Sequence, residues 1–220
     1  MKKMGIRTGG IEEAFEDTIK NYARNSNSDF KYYEIGCAGC ITLKAATDIV
    51  SECISHDNWL IEGIDLMSES SVNWQEINSV FNKTNLQIYY EGVSSFNYLK
   101  DPHTRLLLWG DPRKYSKSMP NNSLDIVLID GNHNFENVTA DFLSIEDKVK
   151  QNGLVFFHDI GVEETGTDPQ AGGGFIEVRP AVEKLGLFNG SRKGWRFLKE
   201  VPGSRKWGGD GNSLGIFVKQ

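Results

Sequence analysis

The chain lacks the signatures of several common protein classes. Three cysteines in 220 residues, Cys37, Cys40 and Cys53, are an odd number and too few for a disulfide framework, which fits reduced thiols in a reducing compartment. No apolar run approaches the roughly 20 residues that a membrane span needs. Basic residues are in deficit, with 24 Lys and Arg against 30 Asp and Glu and a formal net charge of −6; that balance argues against a binder of nucleic-acid phosphates. Met1-Lys2-Lys3-Met4-Gly5 leads into an acidic amphipathic stretch instead of an apolar signal core. No internal repeat occurs, and no Pro- or Ser-rich linker divides the chain. The expectation is a single domain over residues 1–220, cytoplasmic, with no nucleic-acid or membrane partner.

Glycine is in excess: the chain has 23, about one residue in ten against a usual 7% or so. Many tight turns, or several places where backbone approaches a ligand, would produce that. Residues 11–23 carry Ile11, Ala14, Phe15, Ile19 and Tyr22 at helical spacing and predict an N-terminal helical extension within 1–30. Lys31–Ile35 reads as a strand, followed by a helix capped by Thr42 with Leu43, Ala46, Ile49, Val50 and Cys53 on its apolar face. Trp59–Leu66 is a strand, 74–82 a helix, Leu86–Tyr90 and Arg105–Trp109 further strands. Asp125–Asp130 is a continuous apolar strand ending on an acid. A helix follows with Phe135, Val138, Phe142, Ile145 and Val149 on one face, stopped by Asn152-Gly153, and then the strand Leu154–Phe157. Residues 161–178 read as a lid-like loop running into a helix at Arg179–Leu185, and strands at Trp195–Val201 and Leu214–Val218 close the chain. Apolar strands alternating with helices predict an α/β fold: a doubly wound, Rossmann-like, mostly parallel seven-stranded sheet with helices on both faces.

In such a sheet, ligands bind outside the carboxyl ends of the strands. Five successive predicted strand ends carry glycines or acids: Gly36 to Gly39, Asp65, Gly110-Asp111, Asp130 to His133, and His158-Asp159. The turn Glu34-Ile35-Gly36-Cys37-Ala38-Gly39 lets backbone approach a ligand at a helix N-terminus, although it is neither G-x-G-x-x-G nor a Walker loop. Asp65, with Leu66 beside it, stands where an acid accepts both hydroxyls of a ribose. Asp111 could line an adenine edge, or simply follow a turn. Asp130, His133, His158 and Asp159 form a second constellation. Hard divalent cations take carboxylates, and imidazole moves the preference toward Mn, Fe or Zn. The plainer alternative has Asp130 capping the next helix and His158 as a core histidine. Tyr89, Tyr90, Phe96, Tyr98, Phe175 and Trp195 read as core before pocket.

At these residues the chain resembles the class I S-adenosylmethionine-dependent methyltransferases, especially the branch of macrolide-sugar O-methyltransferases and cephalosporin-hydroxylase-like proteins. The resemblance covers about residues 30–185 and is most specific from Leu124 to Ile160. There the family pattern of apolar strand, I-D-G-x-H, aromatic, helix with an Asp, Gly and apolar strand into H-D is met. The matching residues are Ile129-Asp130-Gly131-Asn132-His133, Phe135, Asp141, Gly153 and His158-Asp159. Glu34-Ile35-Gly36 is similar to the motif whose glycine turn passes the methionine part of the cofactor, but Cys40 stands where that pattern has glycine. The resemblance implies cofactor contacts at Glu34, Gly36, Cys37, Ala38, Gly39, Asp65, Leu66, Gly110, Asp111 and Asp130. It also implies a divalent cation, Mg or Mn, on Asp130, His158 and Asp159, with Asp130 and His133 catalytic and His133 as general base. Many relatives have an acid in place of His158. The implied acceptor is a hydroxyl of a small molecule, such as a sugar; a homo-oligomer is left open. Rival readings are a metal-dependent hydrolase, a thiol–disulfide redox protein using Cys37-x-x-Cys40, and a non-catalytic cofactor binder of the same fold.

Overall fold

The computed structural model describes residues 10–26, 29–55, 58–66, 81, 87–90, 103–108, 110–161, 167–168, 174–175, 177–203 and 213–220. Helix α1 (Gly10–Arg24) precedes β1 (Phe30–Ile35), α2 (Ile41–Cys53), β2 (Trp59–Asp65), β3 (Gln87–Tyr90) and β4 (Thr104–Leu108). Then come the short α3 (Pro112–Tyr115), β5 (Leu124–Ile129), α4 (Phe135–Ile145) and β6 (Val149–His158). The two-residue strands β7 (Thr167–Asp168) and β8 (Gly174–Phe175), α5 (Val178–Lys184), β9 (Trp195–Pro202) and β10 (Ser213–Lys219) complete the order.

The main sheet runs β3-β4-β2-β1-β5-β6-β10-β9. Its seven strands from β4 to β9 are the expected doubly wound sheet, and β3 adds an eighth at the edge, parallel to β4. Among the described strands of this sheet, only β10 runs against its neighbours, β6 and β9. Because the chain passes from β1 through α2 to β2 on one side and returns to β5 on the other, the switch point falls between β1 and β5. Their carboxyl ends are tied by the Asp130 N–H donating to the Ile35 carbonyl at 2.9 Å. That gap is where a ligand crevice opens in such sheets.

Alternation along the strands divides the core between two faces. Tyr32, Ile126, Leu128 and Phe156 pack with α1 and α2, while Tyr33, Ile35, Val127, Ile129, Val155 and Phe157 pack with α4 and α5. Helix α1 is part of that core: Ile11, Phe15, Ile19 and Ala23 are all buried.

Three expectations need correction. The residue capping α2 is Cys40, not Thr42, which is buried inside the first turn. Val149 does not extend the face of α4 but opens β6, because α4 ends at Ile145. Asn152-Gly153 therefore stops no helix. It lies within β6, with Asn152 at φ 63°, where the β5–β6 register shifts between Leu124 and Ile126. The helix expected at 74–82 lies outside the described residues except for Phe81, as do residues 162–166, 169–173 and 176 of the lid-like loop; its described part holds the antiparallel pair β7–β8.

Candidate active site

The turn between β1 and α2 depends on glycine at Gly36. Its φ is +84°, and a Cβ there would stand 2.2 Å from the Asp130 carbonyl oxygen and 2.5 Å from Gly131 Cα. Ala38 and Cys40 also have positive φ, 42° and 59°. Cys40 thus takes the left-handed conformation that its glycine counterpart would adopt without strain. The turn is fastened from β2: Asp65 Oδ2 accepts the N–H groups of Cys37 at 2.8 Å and Ala38 at 2.9 Å. Gly63 leaves room for the Cys37 sulfur, which lies 2.5 Å from where a Cβ would stand.

The other residues expected at the cofactor take distinct positions. Glu34 is buried beneath the turn and accepts the Tyr32 hydroxyl at 2.9 Å. Burial holds its carboxyl well above the ordinary range, despite the Tyr32 bond. Leu66 is 61% exposed beside Asp65. Gly110 is buried and donates its N–H to the Asp65 carbonyl at 3.1 Å. Asp111 caps α3, accepting Arg113 N–H at 3.0 Å and Nε at 2.8 Å, and Arg113 holds its carboxyl below the ordinary range.

The ends of β5 and β6 bring Asp130, His133, His158 and Asp159 together, with one ligand atom of each within 4.8 Å of all the others. His158 Nδ1 is 2.9 Å from Asp130 Oδ1 and 3.4 Å from Asp159 Oδ2; His133 Nε2 is 3.4 Å and 3.6 Å from the same atoms. Asp130 does not cap α4; Asn134 does, accepting the Asn137 N–H at 2.9 Å. Asp159 carries a second mark of a specialised site: φ is 55°, and its buried Oδ1 has no hydrogen-bond partner among the described residues. Burial alone would raise the Asp130 carboxyl, but His158 and His133 beside it bring it down to about 2. Burial likewise works against a charged His158, yet Asp130 and Asp159 raise its pKa well above the ordinary histidine value. Two carboxylates and two imidazoles, with an orphaned carboxylate oxygen among them, are a donor set that fits a divalent cation.

The thiols behave differently. The three cysteines form no disulfide, and burial pushes the Cys37 thiol well up. A redox cysteine needs the opposite shift.

The family model described as "Methyltransferase domain" matches residues 34–160, more than half of the chain and every strand end just described. The chain belongs to that family. It is an S-adenosylmethionine-dependent methyltransferase. None of the curated proteins matches it in sequence. Among solved structures it is similar to an O-methyltransferase from Bacillus cereus in complex with S-adenosylhomocysteine, at TM-score 0.58 and 12% identity over 94% of this chain and 81% of that one. It is also similar to the O-methyltransferase TomG from Streptomyces achromogenes, involved in tomaymycin synthesis and solved with S-adenosylmethionine (TM-score 0.58, 13% identity, 94% and 80% covered). The N-methyltransferase NodS from Bradyrhizobium japonicum WM9, in complex with S-adenosylhomocysteine, matches at TM-score 0.55 and 11% identity over 99% and 89%. At such identities these likenesses show the methyltransferase's fold. No helix among its described residues is long and apolar enough to cross a membrane.

Sequence reasoning missed two partners. Tyr32 stands two residues before Glu34 on the same strand face, so period-two alternation could have paired them. Glu177 donates its N–H to the His133 carbonyl at 2.8 Å and accepts the Phe135 N–H at 3.0 Å; no local pattern announces it. Trp195 is core, packed edge-on to Phe142 with ring centroids 5.3 Å apart.

Proposed function

We propose that this methyltransferase moves the methyl group of S-adenosylmethionine onto a hydroxyl of a small molecule, a sugar hydroxyl being the acceptor favoured by the sequence resemblance. Asp130, His158 and Asp159 would hold a divalent cation, Mg or Mn. When bound, the ion supplies Lewis acidity that eases loss of the acceptor's proton.

The chain's own residues do the rest. The turn from Gly36 to Gly39, with Glu34 beneath it, shapes the seat of the methionine part, and Asp65 with Leu66 borders the ribose. Gly110 and Asp111 border the adenine. His133 Nε2, at the cluster, takes the hydroxyl proton as the oxygen–carbon bond forms and the carbon–sulfur bond breaks. Methyl transfer is an in-line displacement, so holding donor and acceptor in line is the larger part of the catalysis.

The observation that carries this reading is the four-residue cluster with its orphaned Asp159 oxygen, placed against the Gly36 turn at the sheet's switch point. Turnover of a hydroxyl acceptor should be suppressed by EDTA and restored by Mn²⁺ or Mg²⁺. Full activity in chelator would remove the cation and leave His133 acting alone.

A further inference from the structure

Glu177 occupies the N-cap position of α5, outside the family match at 34–160. It grips both ends of the segment that carries His133: its main-chain N–H donates to the His133 carbonyl at 2.8 Å, and its Oε2 accepts the Phe135 N–H at 3.0 Å. The grip is anchored, because the Glu177 carbonyl accepts the Ala181 N–H at 3.1 Å and α5 sinks Val178, Ala181 and Val182 into the core it shares with Val138 and Phe142 of α4. The bonded Phe135 N–H is one of the unsatisfied donors at the start of α4, where a carboxylate is favoured.

We propose that Glu177 is a positioning residue for His133. By fixing the carbonyl of His133 and the N–H two residues on, it sets the backbone from which the imidazole reaches to within 3.4 Å of Asp130 and 3.6 Å of Asp159. The catalytic part of this proposal rests on His133 as the proton acceptor. Glu177 comes from the far side of residues 161–176, so a part of the chain that the family match does not include sets the geometry of a residue that it does.

The test uses the full chain with ¹³C-labelled histidine at one fixed pH, reading the His133 Cε1–Hε1 cross-peak, assigned by its loss in His133→Gln. Glu177→Ala should move that peak toward the position of an exposed histidine and broaden it. The His103 peak, from a ring stacked on Trp59 at the amino ends of the strands, should stay in place. Glu177→Gln keeps an oxygen acceptor for Phe135 and should restore the wild-type peak. Glu177→Asp, one methylene short, should resemble Ala and serves if Ala does not fold. With a hydroxyl acceptor that the wild type methylates, Glu177→Ala should lower kcat about 10- to 100-fold with the KM for S-adenosylmethionine unchanged. A His133 peak unmoved in Glu177→Ala, or moved equally in Glu177→Gln, would overturn the proposal. A wild type that methylates no hydroxyl sinks the proton-acceptor reading instead, while the peaks still report whether Glu177 sets His133.

Discussion

The two halves of the site, the rim of β1 and β2 and the rim of β5 and β6, solve opposite problems with the same residue types. At the first, Asp65 is spent on the protein's own backbone, closing the turn through the N–H groups of Cys37 and Ala38. At the second, Asp130 and Asp159 face two imidazoles, and one Asp159 oxygen is left buried without a partner among the described residues. One rim is a shape held by internal bonds; the other concentrates charge that its own groups do not fully satisfy. On the proposed reading, the difference separates a seat for a large ligand, which needs a fixed backbone, from a place where charge is handled. Gly36 is the seam, since its missing side chain lets the first rim touch the Asp130–Gly131 backbone of the second.

The comparison can be broken most severely at that seam. Gly36→Ala places a methyl group against the Asp130 carbonyl at a positive φ, and should destabilise the fold by about 4 kcal/mol in urea unfolding, from backbone strain plus overpacking. Damage to the second rim alone comes from Asp130→Asn, which removes the charge of the acid nearer to both imidazoles. Calorimetry should then show Mn²⁺ affinity down by more than about 100-fold, beyond what losing an outer partner costs, with S-adenosylhomocysteine affinity changed far less, because Asn keeps the side chain's shape and one oxygen.

Asp141, on α4 beneath Gly131, sharpens the contrast through pH. Burial raises its carboxyl from 3.8 to about 7. Between those values the folded chain holds a proton that the unfolded chain has released. Its contribution is therefore full below pH 4 and is lost as pH rises through 7, with a slope of up to about 1.4 kcal/mol per pH unit. Chemical denaturation across pH 4–8 should show that decline, and Asp141→Asn should make it shallower, leaving the part that comes from the raised Glu34 and His158. The smallest effect belongs to the first rim: Asp65→Ala should weaken S-adenosylhomocysteine about tenfold, the scale of hydrogen bonds to a charged group, and leave Mn²⁺ binding unchanged.

Much of this arrangement was legible in the sequence because it follows from local periodicity. Continuous apolar runs at Asp125–Asp130 and Leu154–Phe157 mark buried parallel strands, and the acids that close them fall at the carboxyl rim, as such strands require. Gly36 and the four-residue cluster could be named for the same reason. What escaped depends on contacts between distant segments or on backbone conformation. Cys40 breaks the glycine pattern in sequence while keeping the glycine-like dihedral, which no residue type reveals. Val149 continues the helical spacing of α4, yet belongs to β6. Glu177 meets His133 only because α5 packs against α4.

Calorimetric titration with S-adenosylhomocysteine tests the central claim most directly, that the rim of β1 and β2 is the cofactor seat of a methyltransferase. Saturable single-site binding to the wild type, weakened about tenfold in Asp65→Ala, is the predicted result. No detectable binding at millimolar ligand, or binding indifferent to Asp65, would contradict it.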